Sequence, residues 1–171
     1  KEVNGEYVVD YKSKSLSEVL KPVEKYLTGG PDDRKFQTYL VARRISWLGV
    51  NKPGYKSGFK VTEAKDIVRS YDVQYPEFRQ AAEGFYEYRN SLLEYTYKAG
   101  LITEQQFRFF SEEVQDYVPF QRVLLELQKR NVFGKDFADI RNPVKKLKGS
   151  DLAFIDPIEQ TIRDTFFLIS A

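Results

Sequence analysis

The chain has 171 residues, 42% of them hydrophobic and 15% aromatic, with a net charge of +2. That is enough apolar matter for one core and too little charge for a global attraction to nucleic acid or membrane. It contains neither Cys nor His, which excludes disulfides, thiol nucleophiles, thiolate zinc sites, zincin motifs and Ser-His-Asp triads.

Other motifs are missing too. No apolar run approaches the ~18 residues of a membrane span, and no signal peptide is present. Neither glycine-rich phosphate loops nor EF-hand spacing occurs, so no cofactor is expected and a metal would have to sit among carboxylates. The chain begins at Lys1 without an initiator Met, which suggests a piece excised from something longer.

Val3-Asn4-Gly5-Glu6 carries the Asn-Gly turn signal and Tyr7-Val8-Val9 has strand propensity, so a hairpin and an extended arm both fit residues 1–15. Ser15 and Glu18 spell a capping box opening a helix with Leu16, Val19, Leu20, Val23 and Leu27 on one face. Pro22 inside that stretch predicts a kink or a later start. Gly29-Gly30-Pro31 breaks the chain. A second helix is expected from Asp32 or Asp33 to about Leu48, with Phe36, Leu40 and Trp47 inward and Gly49 ending it. A polar loop from Val50 to Val61 follows, and Thr62 is expected to cap a short helix carrying Ile67, Val68 and Tyr71.

Pro76 suits the first turn of the longest helix, which runs to about Ala99. Phe78, Phe85, Leu92 and Ala99 recur along it every seven residues, with Ala82, Tyr88 or Arg89, and Tyr95 between. That is a seam for antiparallel helix packing. The corner after it is the most heavily specified stretch of the chain. Gly100 suits a left-handed residue past a helix end, Thr103 and Gln106 form a capping box, and Ile102 and Phe107 have the spacing of a hydrophobic staple.

The helix from Glu104 should end before Pro119, which biases Val118 toward extended backbone. Val123-Leu124-Leu125-Glu126-Leu127 fits a buried strand or a helix start equally well, and residues 130–156 are expected to be mostly loop. Asp156-Pro157-Ile158-Glu159 reads as a third capping box, with Pro at the first helical position. Ile158, Ile162, Phe166 and Ile169 then line one apolar face up to the chain end. Ala171 would fall in or beside that helix, in keeping with an excised piece.

Four features invite a functional reading. Phe85, Tyr86, Tyr88, Tyr95 and Tyr97 beside Arg89 and Lys98 have the chemistry of a platform for stacked bases, but a wide apolar face with phenols reaching solvent explains them as well. Residues 121–150 hold eight Lys or Arg against three Asp or Glu, and Arg141, Lys145, Lys146 and Lys148 could grip phosphates with a steep salt dependence. Glu112 and Asp116 share a helix face, yet their polar neighbours point to a solvated surface. Arg43-Arg44 is read as surface ion pairing.

A resemblance follows from the residues. Tyr97-Lys98-Ala99-Gly100-Leu101-Ile102 followed by Tyr117-Val118-Pro119-Phe120-Gln121-Arg122-Val123 looks like segments of the large polyvalent proteins of bacteriophages and conjugative elements. Lys148-Gly149-Ser150-Asp151, then Asp156-Pro157-Ile158-Glu159 with Ile162-Arg163-Asp164-Thr165, looks similar to the segment that follows there. Phe36-Gln37-Thr38-Tyr39-Leu40-Val41-Ala42-Arg43-Arg44 fits the start of the same region, so the resemblance spans roughly residues 36–171. It implies a linking or scaffolding domain among helicase-, methyltransferase-, peptidase- or toxin-like domains, entering the recipient cell with mobile DNA, and it carries no catalytic residues across.

The expectation is a mainly α, bundle-like domain with a long central helix, long loops, and minor β content near the N-terminus and around 118–127. Residues 1–15 would be an arm or hairpin and 16–171 one helical domain of a larger multidomain protein. Its expected role is non-catalytic: an interaction or scaffolding module whose partners are other domains of the parent protein or other proteins, with no membrane. The expected setting is the bacterial cytoplasm, or delivery from a virion. The alternative is a nucleic-acid-binding domain that uses the basic loop at 141–148, and an enzyme relying on Lys, Tyr or carboxylates comes third.

Overall fold

Among the residues that the computed structural model describes (2–3, 6–7, 14–30, 32, 34–52, 60–112 and 156–170), the chain is mainly helical. β1 (Glu2–Val3) and β2 (Glu6–Tyr7) pair antiparallel, Glu2 opposite Tyr7 and Val3 opposite Glu6. This is the register that a two-residue Asn-Gly signal specifies, so the hairpin and not the extended arm is formed.

α1 (Leu16–Leu20) starts on the expected box: Ser15 Oγ accepts from the Glu18 amide at 3.2 Å, and the Glu18 carboxylate accepts from the Ser15 amide at 2.7 Å. Pro22 has no N–H to give the Glu18 carbonyl, and its ring crowds that turn. The path tightens there into a 3-10 helix, Lys21–Tyr26, whose Val23 is fully buried.

α2 (Lys35–Asn51) starts and ends later than expected. Arg34 holds a left-handed backbone, φ 70°, so the helix begins after it. Asp32 pairs with the Lys35 ammonium at 2.6 Å. At the far end the helix runs straight through Gly49. A Cβ there would come within 2.5 Å of a Val61 methyl, so this glycine permits the close approach of the next helix and is not a helix stop. Trp47 is only half-buried; Ile45 and Leu48 join Phe36 and Leu40 in facing inward. Because Val61 is β-branched and cannot swing aside, Gly49→Ala is expected to cost about 1–3 kcal/mol by forcing the two helices apart. Urea unfolding would show this as a lower midpoint with native helical circular dichroism unchanged.

That same contact explains a second departure. α3 (Val61–Gln74) has Lys60 at its cap position and Thr62 inside its first turn, so Thr62 is not the cap. Packing Val61 over Gly49 favours starting the helix at Val61. α3 lies on the outside of the bundle: Ala64 is buried, while Ile67, Val68 and Tyr71 are half-buried.

α4 (Glu77–Lys98) packs against every other described helix, which makes it the long central helix expected. Phe78, Ala82, Phe85, Arg89, Leu92 and Thr96 are all buried at alternating spacings of four and three, the heptad seam. The end of the seam differs from expectation. Thr96 closes it, Tyr95 is half-buried, and Ala99 is the exposed cap residue. Between Tyr88 and Arg89, the seam takes Arg89.

The corner forms as read. Gly100 has φ 73°; its N–H donates to the Tyr97 carbonyl at 2.9 Å, and that of Leu101 to the Thr96 carbonyl at 3.1 Å, a complete Schellman closure. Thr103 Oγ1 accepts from the Gln106 amide at 3.3 Å and Gln106 Oε1 accepts from the Thr103 amide at 2.9 Å, opening α5 (Glu104–Glu112). Ile102 is buried and Phe107 stacks on Tyr97 with centroids 4.8 Å apart.

α6 (Pro157–Ser170) is where sequence reading fails most. Asp156 Oδ1 does cap it, accepting from the Ile158 and Glu159 amides at 2.8 and 3.3 Å. Glu159, though, reaches forward to Arg163 at 2.6 Å, so the box is only half used. The expected apolar face is not the one that packs. Ile158 is buried, but Ile162 is 53% and Phe166 77% exposed, and the inward side carries Thr161, Asp164 and Leu168. The expectations for 113–155, including extended structure at 118–127, the helix end before Pro119 and the loop at 130–156, lie outside the described residues.

Two apolar clusters run along α4. The first joins Val19, Val23, Phe36, Tyr39, Phe78 and Phe85 with Ile158 of α6. The second joins Leu92, Leu93, Ile102 and Phe110 with Leu168 of α6.

Candidate interaction cleft

Helices α2, α3 and α4 leave an open cleft of about 540 Å³ between them. Helical spacing aims the walls. Tyr39, Arg43, Trp47 and Val50 lie along one stripe of α2, facing Val68 and Asp72 of α3 and Arg79 and Glu83 of α4.

One end is polar and internally paired. The Tyr39 hydroxyl donates to Asp72 Oδ1 at 2.6 Å, and Arg79 reaches Oδ2 at 2.8 Å. Burial pushes the Asp72 carboxyl up, but the Tyr39 and Arg79 donors outweigh it and leave it below its usual value. Burial, reinforced by the bond to Asp72, pushes the Tyr39 phenol up. The Arg43 guanidinium stacks between rings, 5.8 Å from the Tyr39 centroid and 5.3 Å from that of Tyr86. The other end is apolar: Trp47, with the Arg44 guanidinium 5.2 Å from its ring, and Val50, 63% exposed at the last turn of α2.

Arg43 and Arg44, expected in surface ion pairs, thus lie half-buried against aromatic rings. The aromatic series on α4 is dispersed and makes no single platform. Phe85 and Tyr86 are buried, Tyr88 shares a 3.1 Å hydrogen bond with Thr165, and Tyr97 stacks on Phe107. Arg141, Lys145, Lys146, Lys148 and Asp116 lie outside the described residues, as does the Glu112 side chain.

A polar belt separates the two apolar clusters where α6 meets α4. Arg89 of α4 and Asp164 of α6 are each 1% exposed and 3.7 Å apart, and Arg89 donates a short hydrogen bond to Thr161 Oγ1. Thr161 in turn donates to the Pro157 carbonyl at 2.8 Å, and Gln160 donates to Asp164 Oδ1 at 2.7 Å. The signal for this belt was in the sequence: Arg89 holds a heptad position, and Pro157, Thr161, Asp164 and Leu168 have stripe spacing. A more apolar neighbouring stripe masked it.

Among the described residues no group of three carboxylates could hold a metal ion, and no helix is long and apolar enough to cross a membrane. In comparison with known proteins, no family model, curated protein or solved structure matches the chain.

Proposed function

We propose that this chain is a non-catalytic helical interaction module that binds a protein partner through the cleft between α2, α3 and α4. Its setting is a large polyvalent protein of a phage or mobile element, acting in the bacterial cell; the order of the three motifs supports that setting. One observation carries the docking role. Val50 and a half-buried Trp47 present an apolar step next to a rim in which Asp72 is already paired with Tyr39 and Arg79. Such a rim orients a partner while the apolar step supplies the binding free energy. The rim is also poorly suited to proton transfer, because Tyr39 is pushed up and Asp72 down, both away from neutrality.

The chain's single Trp stands in the cleft wall, so occupancy can be read from its emission. A photo-cross-linking side chain at position 50 should capture a protein that the same group at Glu87, an exposed α4 position, does not. With that protein purified, binding should shift Trp47 emission, and Val50→Glu should weaken it at least ~tenfold through the buried charge. Identical captures from positions 50 and 87, or binding indifferent to Val50→Glu, would refute the docking role.

A further inference from the structure

α6 is fastened to the bundle by polar groups where a helix ordinarily presents apolar ones. Ile158 joins the first apolar cluster and Leu168 the second, and the residues between them that meet α4 are polar: Thr161, Asp164 and Thr165. Asp164 is 1% exposed. Its Oδ1 accepts from the neutral Gln160 amide, while its Oδ2 stands 3.7 Å from the Arg89 guanidinium, beyond hydrogen-bond distance. Among the described residues that oxygen has no hydrogen-bond partner. A carboxylate so placed has left water without gaining the donors that would replace it.

We propose that the docking of α6 onto α4 is a proton-operated latch, tightest when Asp164 carries a proton and looser once it ionises inside the seam.

Among the described residues the groups around it are few. From α4, Arg89 is the charge that acts on it, and Tyr88 goes to Thr165. From α2, Gln37 reaches Asp156 at the start of α6 at 3.3 Å. α5 contributes Phe110 to the same cluster as Leu168, while Arg108 and Glu104 pair with each other in solvent. On α6 itself, Glu159 and Arg163 pair on the exposed side. Burial raises the Asp164 carboxyl to about 6, against the lowering pull of Gln160 and Arg89.

The direction follows from proton counting. An undocked Asp164 ionises near 3.8 and the docked one near about 6, so the docked form binds more protons between those values and undocking is favoured as pH rises. Deuterium exchange on the full chain, corrected for intrinsic rate at each pH, tests it. Protection across 157–170 should fall roughly tenfold from pH 5 to pH 8, with α2 as the internal reference. Asp164→Asn should flatten that gradient. Because the variant could fail to fold, the wild-type Asp164 carboxyl is also titrated by carbon NMR, with a midpoint near 6 expected. A flat wild-type gradient, a gradient surviving Asp164→Asn, or a midpoint at or below 4 would overturn the latch.

Discussion

Phe78→Ala is expected to remove about 3–5 kcal/mol of stability, the range for truncating a fully buried aromatic ring. Phe78 is 0% exposed, and five rings lie around it, Tyr71 edge-on at 6.0 Å among them. Tyr75 stacks at 4.8 Å, Tyr26 and Phe36 approach edge-on at 4.9 and 5.3 Å, and Tyr39 lies tilted at 5.6 Å. Truncation loses the transfer free energy of the ring and opens a cavity that these neighbours cannot collapse into. They are anchored elsewhere: Tyr26 to Glu77, Tyr39 to Asp72, and Tyr75 to Lys35. Set against a typical total of ~5–15 kcal/mol, the variant would stand near the edge of folding. Val73→Ala, at a position 83% exposed, should stay within about 0.5 kcal/mol. Comparable urea midpoints for the two variants would contradict the ring cluster as the heart of the core.

The second large effect belongs to the buried pair. Arg89→Met should cost about 3–5 kcal/mol at pH 8, because it strands an ionised carboxylate in the interior. The loss should shrink at pH 5. In the wild type the Asp164 carboxyl sits at about 6 when folded and 3.8 in the reference state. A raised acid favours the folded state fully below 3.8 and loses that advantage as pH climbs to about 6; without Arg89 the carboxyl climbs further and takes its proton more readily. Arg89→Met with Asp164→Leu should return stability to within about 1 kcal/mol of wild type, or above it, since well-packed apolar pairs often equal buried ion pairs. Thermal unfolding of the three proteins at both pH values measures this. A double variant no better than Arg89→Met would show that the belt holds α6 through more than this charge pair.

The cleft and the belt differ in how far the sequence could announce them. Tyr39, Arg43 and Trp47 have the spacing of a single helix face, but that α3 and α4 would close a cleft around it depended on how the three helices pack. Arg43 and Arg44 looked like solvent-facing cations because no local pattern says that Tyr86, forty-odd residues on, supplies a ring beneath Arg43.

What the chain spelled out by itself is the local grammar of its helices. The Ser15–Glu18 box, the Gly100 closure and the Thr103–Gln106 box are each made by bonds spanning only a few residues, so a short run of letters is sufficient to encode them. The α4 seam was legible for a related reason, since its period is a property of one helix. Tertiary structure decided which side of a helix faces in. Gly49 became a contact with Val61 instead of a stop because α3 lies against it. α6 turned Thr161 and Asp164 inward, leaving Ile162 and Phe166 outward, because α4 had already placed a guanidinium in its seam, and a buried cation requires oxygen partners more urgently than the core requires two more apolar side chains.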